Sequence, residues 1–200
     1  MPLIGKNSQP TIYIENIGYL KLDTHEKLIF LNPNQGNVLK YFFEPIILFI
    51  NELEKENRYK SISMVGISGG GWTTTILAAF ERRINYSFPV ASSLPLSLRT
   101  YDLGDYEQYL PSFYTKFNYL DTYIAGSAPK NRFLGQIFNK NDLCCFDGER
   151  WKYYKDEVQQ KSNKLGGKFE VFVEKYKYVH EITKDSLSYI HSTIEKLDNR

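Results

Sequence analysis

The run Ser61-Ile62-Ser63-Met64-Val65 leads directly into Gly66-Ile67-Ser68-Gly69-Gly70-Gly71, and this junction constrains the fold more than any other stretch. Ile62, Met64 and Val65 read as a short buried strand, and Thr73 to Phe80 as a buried helix. Between them lies a G-x-S-x-G pattern. Three fixed positions are a weak signal alone, so the flanking strand and helix carry the reading. A sharp strand-to-helix turn can hold the Ser68 hydroxyl clear of a sheet as a nucleophile elbow. Small residues at Gly66 and Gly70 are expected there, because a Cβ would collide with the turn.

The remaining pattern alternates strands with helices. A hairpin is expected around Thr11–Leu22, and a helix at about 37–57 carries Leu39, Phe43, Ile46, Ile50 and Leu53 on one face. Pro45 should kink that helix or mark its true start. Further strands are expected at about 85–91, 133–138 and 168–174, with helices at about 149–163 and 183–197. Residues 92–131 are rich in aromatics and show no clear periodicity. Strands alternating with helices define an α/β class with a mostly parallel sheet flanked by helices.

The composition suits one domain over residues 1–200. The chain is 42% hydrophobic and 24% charged, enough to bury roughly 70% of the unfolded surface. Its 25 basic and 23 acidic residues are interspersed, so no basic stripe points to nucleic acid. The longest apolar run, Pro45 to Ile50, is far short of the roughly 20 residues of a membrane span. Met1-Pro-Leu-Ile-Gly-Lys lacks the apolar stretch of a signal peptide, which makes a cytoplasmic location the default expectation. The adjacent pair Cys144-Cys145 has neither metal-ligand spacing nor the look of a disulfide framework, and is expected to pack as two small apolar residues. No cofactor and no metal are called for.

A serine hydroxyl needs a base within hydrogen-bond reach, and the base needs an orienting acid. In an α/β sheet these groups belong at the carboxyl ends of strands. Of the three histidines, His180 lies just after the strand at 168–174 and just before the last helix. His191 falls inside that helix as an ordinary helix residue. His25, with Glu26, precedes the first clear helix and offers a second polar site. Asp142 lies just past the strand at 133–138 and is the leading acid. Asp147 is a rival whose ordinary role is a helix N-cap, and Asp102 and Asp105 are outside candidates. The chain order Ser68, Asp142, His180 is that of the α/β-hydrolase triad.

Three stretches resemble the α/β-hydrolase superfamily: Met64-Val-Gly-Ile-Ser-Gly-Gly-Gly-Trp-Thr-Thr, Asn141-Asp-Leu-Cys-Cys-Phe and Val179-His-Glu-Ile-Thr. The resemblance runs over almost the whole chain. It implies Ser68 as nucleophile, Asp142 as acid, His180 as base and the Gly69 N–H as one oxyanion donor. It also implies that residues 92–131 form a cap-like insertion. The rings there, Tyr106 and Tyr109 among them, can line a substrate pocket or simply pack the cap onto the sheet, and Trp72 after the elbow can wall the site or pack in the core. The expected substrate is a small-molecule or glycan-linked ester. Members of the superfamily carry several strands before the elbow strand, and a loop after an early one supplies the second oxyanion donor. Here one clear helix precedes it, so the resemblance implies an N-terminally truncated version with an exposed sheet edge open to association. Two other functions are compatible with the residues: a vestigial domain that binds without catalysis, and a patatin-like Ser/Asp dyad using Asp147-Gly148.

Overall fold

A computed structural model describes residues 8–31, 36–99, 103–146, 148–174 and 178–199. Its centre is a four-stranded parallel sheet of β3 (Ile62–Ile67), β4 (Ile84–Val90), β5 (Phe133–Asn139) and β6 (Lys168–Glu174), in sequential order. Every residue of β5 is buried, as is all of β4 except Asn85. Those strands are continuous apolar runs because helices cover both of their faces. β3 and β6 are the outer strands. Only β3 alternates clearly, with Ser63 exposed and Val65 40% exposed.

Side-chain alternation divides the core between the faces. Leu134 and Phe138 of β5 pack with Trp72, Ile76, Tyr119, Tyr123, Val158 and Phe169. These residues bring together α2 (Gly69–Phe80), α4 (Tyr119–Ser127) and α5 (Lys155–Lys164). Phe42 adds α1 (Lys40–Glu56) to the same side. Phe133 and Ile137 face the other way, with Tyr86, Phe88 and Val90, against Ile190 of α6 (Lys184–Asp198). Among the described residues no helix is long and apolar enough to cross a membrane.

The strand positions match the sequence pattern closely, and the expected hairpin is β1 (Thr11–Ile14) paired antiparallel with β2 (Gly18–Lys21). It forms its own two-stranded sheet and does not extend the central one, so β3 is an edge of that sheet among the described residues. Pro45 neither starts nor ends α1, which begins at Lys40 and runs through it. The helix before β6 is split into a 3-10 turn, Arg150–Tyr153, and α5.

Residues 92–131 hold more structure than their lack of periodicity suggests. They contain 3-10 turns at Leu96–Leu98 and Tyr106–Gln108, the short helix α3 (Pro111–Tyr114), and α4. α4 starts with a reciprocal cap: the Asn118 side chain accepts from the Asp121 N–H at 3.0 Å, and Asp121 accepts from the Asn118 N–H at 3.2 Å. Helix α4 then packs on α2 and the sheet like any layer of an α/β domain.

Candidate active site

Ser68 stands between β3 and α2 with φ 55° and ψ −124°, in the positive-φ half of backbone space that a non-glycine residue enters at a cost of about 1–3 kcal/mol. Its neighbours hold it there. The Ser68 N–H donates to the Val90 carbonyl at 3.0 Å, continuing the β3–β4 ladder one residue beyond the strand. Its carbonyl accepts from the Trp72 N–H at 2.8 Å, closing the first turn of α2. Helix α2 opens at Gly69, four residues earlier than the apolar run suggests. A Cβ on Gly66 would strike the Gly70 carbonyl and come within 2.7 Å of Thr74 Oγ1. The second glycine the turn needs is Gly71 rather than the expected Gly70. A Cβ on Gly71 would lie 2.6 Å from Ser92 Cβ and 2.8 Å from the Gly66 and Val90 carbonyls, whereas one on Gly70 would meet nothing within 4 Å. Thr73, Thr74 and Thr75 donate their hydroxyls to the carbonyls of Gly69, Gly70 and Gly71 at 3.0, 2.9 and 3.0 Å. No acidic side chain occupies the first turn of α2. Its positive end, equivalent to roughly half an elementary charge, therefore stands uncompensated beside Ser68 and Gly69.

At the same carboxyl edge, β5 and β6 bring together the other two residues of interest. His180 Nδ1 lies 2.9 Å from Asp142 Oδ2 and 3.0 Å from Oδ1. The ionised carboxylate only accepts, so Nδ1 carries the hydrogen and Nε2 is left to take a proton. The Asp142 carboxylate has no exposed surface, and the His180 side chain is 25% exposed. The Asp142 N–H donates to the Asn139 carbonyl at 3.1 Å, turning the chain back over the end of β5. Asp142 Oδ1 also accepts the Cys144 N–H at 2.7 Å and the Cys145 N–H at 3.4 Å.

Sequence reasoning missed the residue that fixes His180 from below. Asn139, the fully buried last residue of β5, donates from Nδ2 to the Val179 and Glu181 carbonyls, both at 3.0 Å. One side chain thereby pins the backbone on both sides of the histidine. The available signal was an amide closing an otherwise apolar strand.

The other expected site residues are distributed as follows. Trp72 is fully buried, edge-on to Phe42 with ring centroids 5.4 Å apart, and its indole N–H donates to the Tyr114 hydroxyl at 2.8 Å. Its role is core packing; a ring with no exposed surface has none to offer a ligand. Tyr106 and Tyr109 are half-buried and packed edge-to-face at 5.8 Å. Tyr114 and Tyr119 stack at 4.9 Å, and the Tyr119 hydroxyl donates to the Gln108 carbonyl at 2.8 Å. An apolar groove of about 530 Å³, lined by Phe43, Ile47, Ile76, Leu77, Phe80 and Phe113, lies at the far end of α2 from Ser68. Asp102 and Asp147 lie outside the described residues.

His25 forms a second imidazole–carboxylate pair, its partner being Glu107 rather than its neighbour Glu26. Its Nδ1 donates to the Glu107 carboxylate, at 2.8 and 3.0 Å from the two oxygens, and lies 3.7 Å from Asp105. The Glu107 side chain has no exposed surface. Burial pushes His25 down, but the hydrogen bond to Glu107 and the charges of Glu107, Asp105 and Glu26 outweigh it and leave His25 above its ordinary value. His25, Asp105 and Glu107 each place one ligand-type atom within 4.8 Å of the others.

The cysteines do not pack as small apolar residues. Both are exposed on the loop that carries Asp142.

No protein-family model matches the sequence, and no curated protein matches it significantly. The fold has solved relatives. The acylaminoacyl peptidase of Pyrococcus horikoshii superposes with a TM-score of 0.55 at 15% identity, covering 86% of this chain and 29% of that one. Arabidopsis thaliana SOBER1 superposes with a TM-score of 0.51 at 13% identity, covering 94% of this chain and 80% of that one. The Pyrococcus furiosus esterase Pf2001 gives a TM-score of 0.46 at 13% identity over 78% of this chain. The chain spans 61% of that esterase's length. The chain has the α/β-hydrolase fold.

Proposed function

We propose that the chain is a serine hydrolase that cleaves a carboxylic ester, or an amide, through an acyl-serine intermediate. The observation that carries this reading is the His180–Asp142 pair at the carboxyl ends of β5 and β6, on the sheet edge where Ser68 is held at positive φ. The solved relatives supply only the fold. Their activities belong to them, and the reaction is argued from the residues.

Ser68 Oγ attacks the substrate carbonyl and passes its proton to His180 Nε2. Asp142 holds the imidazole by its Nδ1–H and stabilises the positive charge that develops on the ring. Burial of Asp142 makes that electrostatic support stronger than it would be in water. Negative charge on the carbonyl oxygen meets the Gly69 N–H and the positive end of α2. His180 then protonates the leaving group. Water, deprotonated by the same imidazole, frees Ser68 in the second half of the cycle. The substrate this reading calls for is a small-molecule or glycan-linked ester approached from the side of residues 92–131, with Tyr106 and Tyr109 as the half-exposed rings on that side.

Turnover of short p-nitrophenyl esters tests the roles. Ser68→Ala and His180→Ala should each lower kcat by about 10⁴-fold or more, and Asp142→Asn by about 10²–10⁴-fold. Wild-type turnover in His180→Ala would remove the base from the account and favour a two-residue Ser/Asp mechanism.

A further inference from the structure

His25, Asp105 and Glu107 form a cluster of donor atoms that the serine chemistry does not use. His25 opens the 3-10 turn His25–Phe30, and Asp105 and Glu107 flank Tyr106 at the turn Tyr106–Gln108. His25 Nδ1 lies 2.8 Å from Glu107 Oε2, 3.0 Å from Oε1 and 3.7 Å from Asp105 Oδ2. Around a tetrahedral ion with bonds of about 2.1 Å, ligand atoms stand roughly 3.4 Å apart. The observed spacings bracket that separation. The charges point the same way. Two carboxylates face one imidazole, and among the described residues no lysine or arginine pairs with either of them. Negative charge is therefore in surplus even when the ring is protonated, and the Glu107 carboxylate carries its share with no exposed surface. Both ligand-bearing segments are held in place. Leu22 and Leu28, on either side of His25, are buried in the core. The Gln108 N–H donates to the Asp105 carbonyl at 2.8 Å, and the Gln108 carbonyl accepts from the Tyr119 hydroxyl at 2.8 Å.

We propose that His25, Asp105 and Glu107 hold a zinc ion that ties the segment before α1 to the insertion. The proposal does not depend on the role of Ser68. His25 ligates through Nδ1, each carboxylate through one oxygen, and water takes the fourth position. An imidazole among the donors favours zinc over magnesium and calcium, which take oxygen ligands. The Asp105 side chain is 45% exposed and gives the ion its path from solvent. The ion takes the place of the proton on His25 Nδ1, which is released on binding. Proton and ion hold the same two segments together and exclude each other. Because Asp105 and Glu107 flank Tyr106, the ion also fixes the backbone that carries this half-buried ring. Its role is structural.

The full chain is stripped with EDTA, exchanged into chelator-free buffer and titrated with zinc chloride by calorimetry. The histidine ring resonances are followed by NMR over the same titration. The expected result is a binding event with a Kd of about 1 μM or below. The His25 ring resonances should move with it, and those of His191 should not. Glu107→Gln should weaken the event by about 100-fold or more, and Asp105→Asn by about 10-fold or more. The rival zinc ligands are His180 and the two cysteines, so His180→Ala and the Cys144→Ser/Cys145→Ser double variant should bind as wild type does. Glu107→Gln alters a buried group and can cost the fold. Asp105→Asn alters an exposed one, and the NMR titration needs no variant, so these two decide the matter if Glu107→Gln does not fold. Four results overturn the proposal: no binding below about 100 μM, His25 resonances unmoved at saturation, wild-type affinity in Asp105→Asn, or loss of the event in the His180 or cysteine variants.

Discussion

A single amide illustrates how residues outside the reacting atoms build this site. Asn139 closes a strand that is apolar almost throughout and spends both Nδ2 hydrogens on the carbonyls that flank His180. Asn139→Ala leaves those two part-buried carbonyls without their donor, an expected loss of about 1–3 kcal/mol in urea unfolding. It should also lower kcat by about 10–100-fold with little change in KM, because the imidazole shifts without leaving the site. A variant that loses stability but keeps wild-type kcat would show that Asn139 supports the fold alone. Asn139 was not legible as a site residue. The sequence shows an amide at the end of an apolar run, while its value depends on two carbonyls 40 and 42 residues away that only the fold brings near. Ser68, Asp142 and His180 were legible because each sits at a strand end, where the chain turns over the edge of the sheet. For Trp72 the sequence left site wall and core packing open, because proximity in sequence to Ser68 says nothing about which way a helix face points. The ring points inward, to Phe42 and Tyr114.

At the scale of elements, the β3–α2 junction depends on close backbone approach. Gly66→Ala would drive a Cβ into the Gly70 carbonyl and Thr74 Oγ1, neither of which can move without displacing α2. The expected loss is about 3 kcal/mol or more. Gly70→Ala, with open space at the same turn, should change unfolding by less than about 1 kcal/mol. Denaturant melts of the two variants check the pair, and equal losses would mean that the turn is not the tight element described. The strands were legible in outline because buried parallel strands are continuous apolar runs. The insertion was less so. α4 has too few turns to establish a period, and its clearest signal was local: Asn118 and Asp121 three residues apart, each capping the other's N–H. The choice of Gly71 over Gly70 was also hidden, because the atoms Gly71 must avoid belong to the end of β3, the end of β4 and the residue two places beyond β4.

Across the whole molecule, the His25–Glu107 pair ties the segment before α1 to the insertion, over 82 residues of chain. Its linkage to pH has a definite sign. His25 is held above its ordinary value of 6.5 in the folded chain, so the protonated form favours folding. That contribution is fully present below about pH 6.5 and is lost as pH rises through the raised folded value. His25→Gln should therefore be less stable than wild type by about 2 kcal/mol at acidic pH, and the gap should narrow as the medium becomes alkaline. Urea unfolding across that range measures it, and a gap independent of pH would contradict the protonated pair.

The central claim is that Ser68 is an activated nucleophile, and covalent capture tests it most directly. A fluorophosphonate is added to the folded chain, and the adduct is located by mass spectrometry. The account predicts one adduct, on Ser68, absent in Ser68→Ala and slowed by about 10³-fold or more in His180→Ala. A folded wild-type chain that takes no label, or a Ser68→Ala variant that labels as fast, would contradict it.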